Sequence, residues 1–152
     1  LGPSSLSDIE RVAAKRDTRL RPLPTRVRAE QRALFDELTE RFPDLGKLVK
    51  NGSNGQAAYR LFEDAATGAS FYEPAIVKGT VVAVVNSRHP FHRRLYKPLL
   101  EIVRERQDLF EAVQALLLSA ARAEGLANRA PDRRALLQFR RDWSQGLEAF
   151  LK

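Results

Sequence analysis

The chain has 152 residues, a length suited to one ordinary domain that buries about two-thirds of the surface its unfolded form exposes, so it needs no covalent staple to fold. It has no cysteine, which excludes disulfides, thiolate metal sites and cysteine nucleophiles and fits a cytoplasmic setting, and no apolar run approaches the roughly 18 residues of a membrane-spanning helix. A formal net charge of +7 makes a polyanion a reasonable partner, although acidic residues are interspersed among most of the basic ones. Methionine is absent too, position 1 included, and Leu1-Gly2-Pro3-Ser4-Ser5 reads as a linker or remnant, as expected of a chain cut from something longer.

From Ser7 the pattern is helical: Ser7 and Asp8 offer caps, Glu10 supplies a capping-box acid, and Ile9, Val12 and Ala13 form a thin apolar stripe. Pro22 and Pro24 stop helix here, which marks residues 1–24 as a linker with an N-terminal helical extension free to project toward a partner. Thr25 can cap a second helix with Val27, Leu34, Leu38 and Phe42 on one face, closed by Pro43 and Asp44, and Asn51 to Gly55 is a turn-rich connection. Strands are then predicted over 58–62, 70–74 and 80–85, separated by turns at 66–69 and 78–79. The third, a β-branched run apolar on both faces, belongs in the middle of a sheet, and three consecutive strands with short turns predict an antiparallel meander.

After Asn86 everything reads as helix. Phe91, Leu95, Leu99, Ile102 and Val103 stripe a segment that begins near His89 or Pro90 and that Pro98 kinks or splits. Leu109, Phe110, Val113, Leu116, Leu117 and Ala120 mark the core helix, ending near Gly125. Pro131 opens the last helix, whose stripe Leu136, Phe139, Trp143, Leu147 and Phe150 places Trp143 in the core. The expected fold is α+β: a small, mainly antiparallel three-stranded sheet packed by C-terminal helices, with residues 25–152 forming one domain of a helix, three strands and three helices.

The stretch VVAVVNSRHPFHRRLY, which begins as a buried strand and ends as a knot of positive charge, is where chemistry would be sought. Asn86 and Ser87 stand where a strand end meets a helix start, and either side chain can cap the first amides of that helix while Pro90 fits its first turn. His89 and His92, the only two histidines, lie three apart, but no cysteine or adjacent carboxylate completes a zinc set, so a buried His89 bonded to backbone is expected and no metal or cofactor is assigned. Arg88, Arg93, Arg94 and Lys97 crowd the same turn with no acid between Glu73 and Glu101. Cations at a helix N-terminus cost about 0.3–1 kcal/mol each, so an anion held by these side chains and the helix amides would relieve them. The serine-hydrolase elbow, P-loop and dinucleotide glycine patterns are missing. Catalysis would require His89 to meet a carboxylate such as Glu73 or Glu63.

The strand FYE, the run VNSRHPFHRRLY and the ending RRDWSQGLEAFL together resemble the region downstream of the ATPase domain in bacterial and phage-associated GHKL-type ATP-binding proteins, distant relatives of gyrase, MutL and histidine kinases. Asn86, His89, Pro90, Phe91 and Tyr96 match the shared pattern, with Trp143 and Ser144. The resemblance implies a detached, non-enzymatic accessory domain that contacts a protein partner or the parent chain's ATPase domain, or dimerises beside it, in a DNA-associated machine. The alternative reading is an independent nucleic-acid-binding module built on Arg88, Arg93, Arg94 and Lys97.

Overall fold

The computed structural model describes residues 8–24, 27–43, 45, 58–65, 68–77 and 79–152. The expectations placed on Ser7, Thr25, Asp44, Asn51 to Gly55, Ala66, Thr67 and Lys78 lie outside them. In chain order come helix α1 (Asp8–Arg16) with a 3-10 turn (Asp17–Arg19), α2 (Ala29–Arg41), strands β1 (Ala58–Asp64), β2 (Tyr72–Val77) and β3 (Thr80–Asn86), a π-helical turn (His92–Tyr96), and helices α3 (Lys97–Glu101), α4 (Gln107–Gly125) and α5 (Ala130–Leu151). The α+β expectation holds.

The strand order does not follow the meander. It is β1-β3-β2, with β1 parallel to β3 and β2 antiparallel to it, so the sheet is mixed rather than mainly antiparallel. β2 and β3 form the expected hairpin, in which Gly79 takes φ 81°, a left-handed conformation that costs glycine little. β1 and β2 do not pair. They flank β3, two strand spacings or about 10 Å apart.

β3 lies in the centre because it is apolar on both faces and helices cover both. Val81, Ala83 and Val85 face Tyr59, Phe71, Phe110, Leu117 and Leu118 in the larger core, under α4 and α1. Val82 and Val84 face Phe35, Leu38 and Leu45 on the α2 side. The strict alternation along the strand sends successive side chains to opposite layers. Phe42 stacks on Phe62 at 4.2 Å between centroids, and Arg41 meets Asp64 at 2.7 Å, closing the α2 layer over β1.

Helix α1 does not project. Ile9, Ala13 and Ala14 pack on the larger core, and Glu10, 5% exposed, accepts from Arg60 Nε at 3.1 Å and from the Leu61 amide at 2.9 Å. The 3-10 turn is anchored as firmly. Arg122 of α4 donates through Nε to Asp17 at 2.8 Å and to Tyr59 Oη at 2.9 Å and through Nη2 to the Arg21 carbonyl at 2.6 Å, while the Tyr59 hydroxyl donates to Asp17. Burial, reinforced by the Asp17 carboxylate, pushes the Tyr59 hydroxyl far above the usual phenol range, so it stays a donor.

The predicted helix over Phe91 to Val103 starts at Pro90 and changes register before Pro98. Pro98 has no amide to give the Arg94 carbonyl, and the chain widens to π geometry over His92–Tyr96, with the Lys97 amide bonding the His92 carbonyl. In α5 the buried positions are Arg140 and Ser144, whereas Phe139 and Phe150 are 63% and 86% exposed and Trp143 is 44% exposed. The stripe read from its largest residues is therefore not the buried face. Trp143 packs its edge on Phe71 at 4.8 Å from the rim of the core. A methyl group at Gly146, mid-helix, would meet nothing within 4 Å. Gly146→Ala is expected to stabilise by about 0.5–1 kcal/mol in urea unfolding, through lower unfolded-state entropy.

Candidate functional site

The β3–helix join is held together by internal hydrogen bonds. Asn86, 3% exposed, donates through Nδ2 to the carbonyls of Gly68 at 2.8 Å and Ser70 at 3.0 Å, and its Oδ1 accepts from the Arg88 amide at 3.0 Å. Its own amide donates to Phe71 and the Ser87 amide to Asp64, so both edge strands are fastened around the end of β3. The helix cap is His89 rather than Asn86 or Ser87: its Nδ1 accepts from the Phe91 amide at 3.0 Å. The ring proton then sits on Nε2, which donates to the Ser144 carbonyl at 2.8 Å. Ser144 Oγ accepts from the Phe71 amide at 3.0 Å and donates to the Arg140 carbonyl at 2.7 Å. Asn86, His89 and Ser144 thus tie β3, residues 68–71 and α5 into one knot, and among the described residues His89 meets no carboxylate.

The histidines diverge. His92 bonds Glu63 through Nε2 and stacks on Tyr96, which is buried against Phe110, and burial pushes the Tyr96 hydroxyl up to about 12. Arg88, Arg93, Arg94 and Lys97 are all exposed on this turn, and among the described residues none has an ion-pair partner. The amides of Arg88, His89, Phe91 and His92 are already bonded to Asn86 and His89. An anion here would be held by side chains, not by the cradle of helix amides expected from the sequence. Among the described residues no three His, Asp or Glu side chains gather to hold a metal ion, and no helix is long and apolar enough to cross a membrane.

Two of the concavities among the described residues hold side chains that bear on function. The first is an apolar groove of ≈ 420 Å³ between the π-helical turn, α4 and α5, floored by Phe71 and Tyr72, with Phe91, Leu95, Leu116 and Trp143 among its walls. Among the described residues no charged one lines it. Leu116 is 69% exposed, so the middle of this supposed core helix faces outward there. A signal exists in the sequence: with Leu118 and Ala121 added to Phe110, Val113, Leu116, Leu117 and Ala120, the apolar arc of α4 is wider than a single buried face requires.

The second is a cavity of ≈ 300 Å³ between α2, β2 and α5, whose walls include Glu73, Glu124 and Arg140. Arg140, 5% exposed, lies over the Tyr72 ring, with Nη1 3.5 Å from Glu73 and 3.6 Å from Glu124. These are ion-pair distances beyond hydrogen bonding, and among the described residues Nε and Nη1 have no hydrogen-bond partner. Tyr72 donates to Glu124 at 2.5 Å. Burial raises both carboxyls above their ordinary range; Arg140 offsets part of the rise in each, and the Tyr72 bond part of that in Glu124. The sequence hint is Arg140 beside the apolar stripe of α5, four residues before Ser144.

No family model, curated protein or solved structure matches the chain.

Proposed function

We propose that this is a cytoplasmic, non-enzymatic accessory domain that works by binding another protein. The observation that carries this reading is the open apolar groove, with Leu95, Leu116 and Trp143 exposed beside a buried core. The knot around Asn86, His89 and Ser144 supports it, since the residues best placed for catalysis spend their hydrogen bonds on holding the fold. On the resemblance to GHKL-associated regions, the partner would be an ATPase domain or a second copy. A photo-crosslinking residue in place of Leu116 tests this in the native host. The expected result is one recurrent protein adduct, or a self-adduct, missing when the crosslinker replaces the exposed Glu37 and lost on adding Trp143→Asp. No adduct, or nucleotide turnover that vanishes in His89→Ala, would sink the reading.

A second reading rests on Arg88, Arg93, Arg94 and Lys97, which have no ion-pair partner among the described residues, as a nucleic-acid contact. With four cations and no free cap amides among those bonded above, log affinity would fall against log salt with a slope of no more than about 4. Binding of a labelled duplex or single strand that disappears in an Arg88, Arg93 and Arg94 to Ala triple variant, with its melting curve unchanged, would support it.

A further inference from the structure

We propose that the groove receives an acidic amphipathic helix, an inference that rests on the protein-interaction reading and names the class of partner. Three observations combine. The groove wall is a run of α4 side chains from Val113 to Ala123, roughly 15 Å or three turns long, which suits a second helix packing ridge into groove. The groove itself is free of charge, so the occupant must bring an apolar stripe.

The rim sets the sign. Phe91 and Leu95, which line the groove, belong to the same turn as Arg93, Arg94 and Lys97, and these exposed cations have no ion-pair partner among the described residues. Acidic residues flanking the incoming stripe would pair with these cations. A basic helix would face like charges at the same place, so the arrangement selects as well as attracts. Tyr72, on the floor, turns its hydroxyl away to Glu124, which leaves the floor without a free polar group to satisfy.

The test uses a fluorescent peptide of roughly 18 residues with leucines at helical i, i+4, i+7 and i+11 positions and glutamates flanking them, beside the same peptide with lysine for every glutamate. Anisotropy titrations of the intact chain are expected to show the acidic peptide binding at least tenfold tighter than the basic one. Added salt should narrow that preference. Leu116→Glu should abolish binding, and Arg93→Glu with Arg94→Glu should weaken it tenfold or more; the second variant changes only exposed side chains, which protects the test should the first misfold. Equal binding of both peptides would overturn the charge selection. Binding of neither, with self-association that Leu116→Glu removes, would make the occupant a second copy and leave the interaction reading standing. Binding of neither, with no adduct at Leu116 either, would remove both. Displacement of the acidic peptide by DNA at equal concentration would assign the rim to nucleic acid and overturn the proposal.

Discussion

Asn86→Asp is expected to destabilise the fold by about 3 kcal/mol or more at neutral pH, the largest loss of any single isosteric change at the join. Both Nδ2 protons of Asn86 are committed to the Gly68 and Ser70 carbonyls, inside the segment that carries the chain from β1 across the end of β3 to β2. A carboxylate there cannot donate. It sets a buried negative charge against two carbonyl oxygens, and only the Arg88 amide still bonds to it. Asn86→Ala, which removes the bonds without adding charge, should cost less, about 2–3 kcal/mol. Urea unfolding at several pH values separates the two. The deficit of the Asp variant should shrink as the pH falls, because a buried carboxyl takes up a proton in the folded state more readily than in the unfolded one, while the Ala deficit stays level. If neither variant loses more than about 1 kcal/mol, the placement of Gly68 and Ser70 does not depend on this side chain.

The same residue shows what the sequence could convey. Element identity was legible because it rests on local period: the β-branched run of β3, the proline stops, the long amphipathic stretches of α4 and α5. The central place of β3 followed from its being apolar on both faces. Strand pairing was not legible, since a turn signal marks a change of direction and not the edge at which the chain re-enters; that choice is made by Asn86 binding a segment 16 to 18 residues upstream. Asn86 and His89 were singled out at a strand-to-helix junction, and His89 was rightly expected to be buried and bonded to backbone. Ser144, its partner 55 residues away, had only the family resemblance to mark it. The groove was missed for a related reason. Phe139, Trp143 and Phe150 are the largest apolar residues of α5, but the helix rolls to bury Arg140 and Ser144, whose partners are the Glu73 and Glu124 carboxylates and the Phe71 amide. Size and hydropathy cannot show that a polar side chain has partners waiting for it.

Arg140→Met is expected to cost about 3 kcal/mol near pH 8, although it keeps the volume and gains hydrophobicity. The loss comes from what remains: Glu73 and Glu124, both partly buried, would face one another without the cation that holds each within 3.6 Å. In the wild type burial already holds both folded-state pKa values above the ordinary 4.5, with Arg140 limiting the rise. A raised folded-state pKa means that the native state keeps protons the unfolded chain has released. Stability from these groups is therefore fully present below about pH 4.5 and is lost as pH rises through each folded value. Without Arg140 both values climb further, so the window widens on its alkaline side and the gap between variant and wild type should open between pH 5 and pH 8. Adding Glu73→Gln should close more than half of that gap, because a neutral cluster no longer needs its cation. A deficit of the same size at pH 5 and pH 8 would mean that Arg140 acts by packing over Tyr72 alone, and that the charges around the cavity contribute nothing to holding α5 in place.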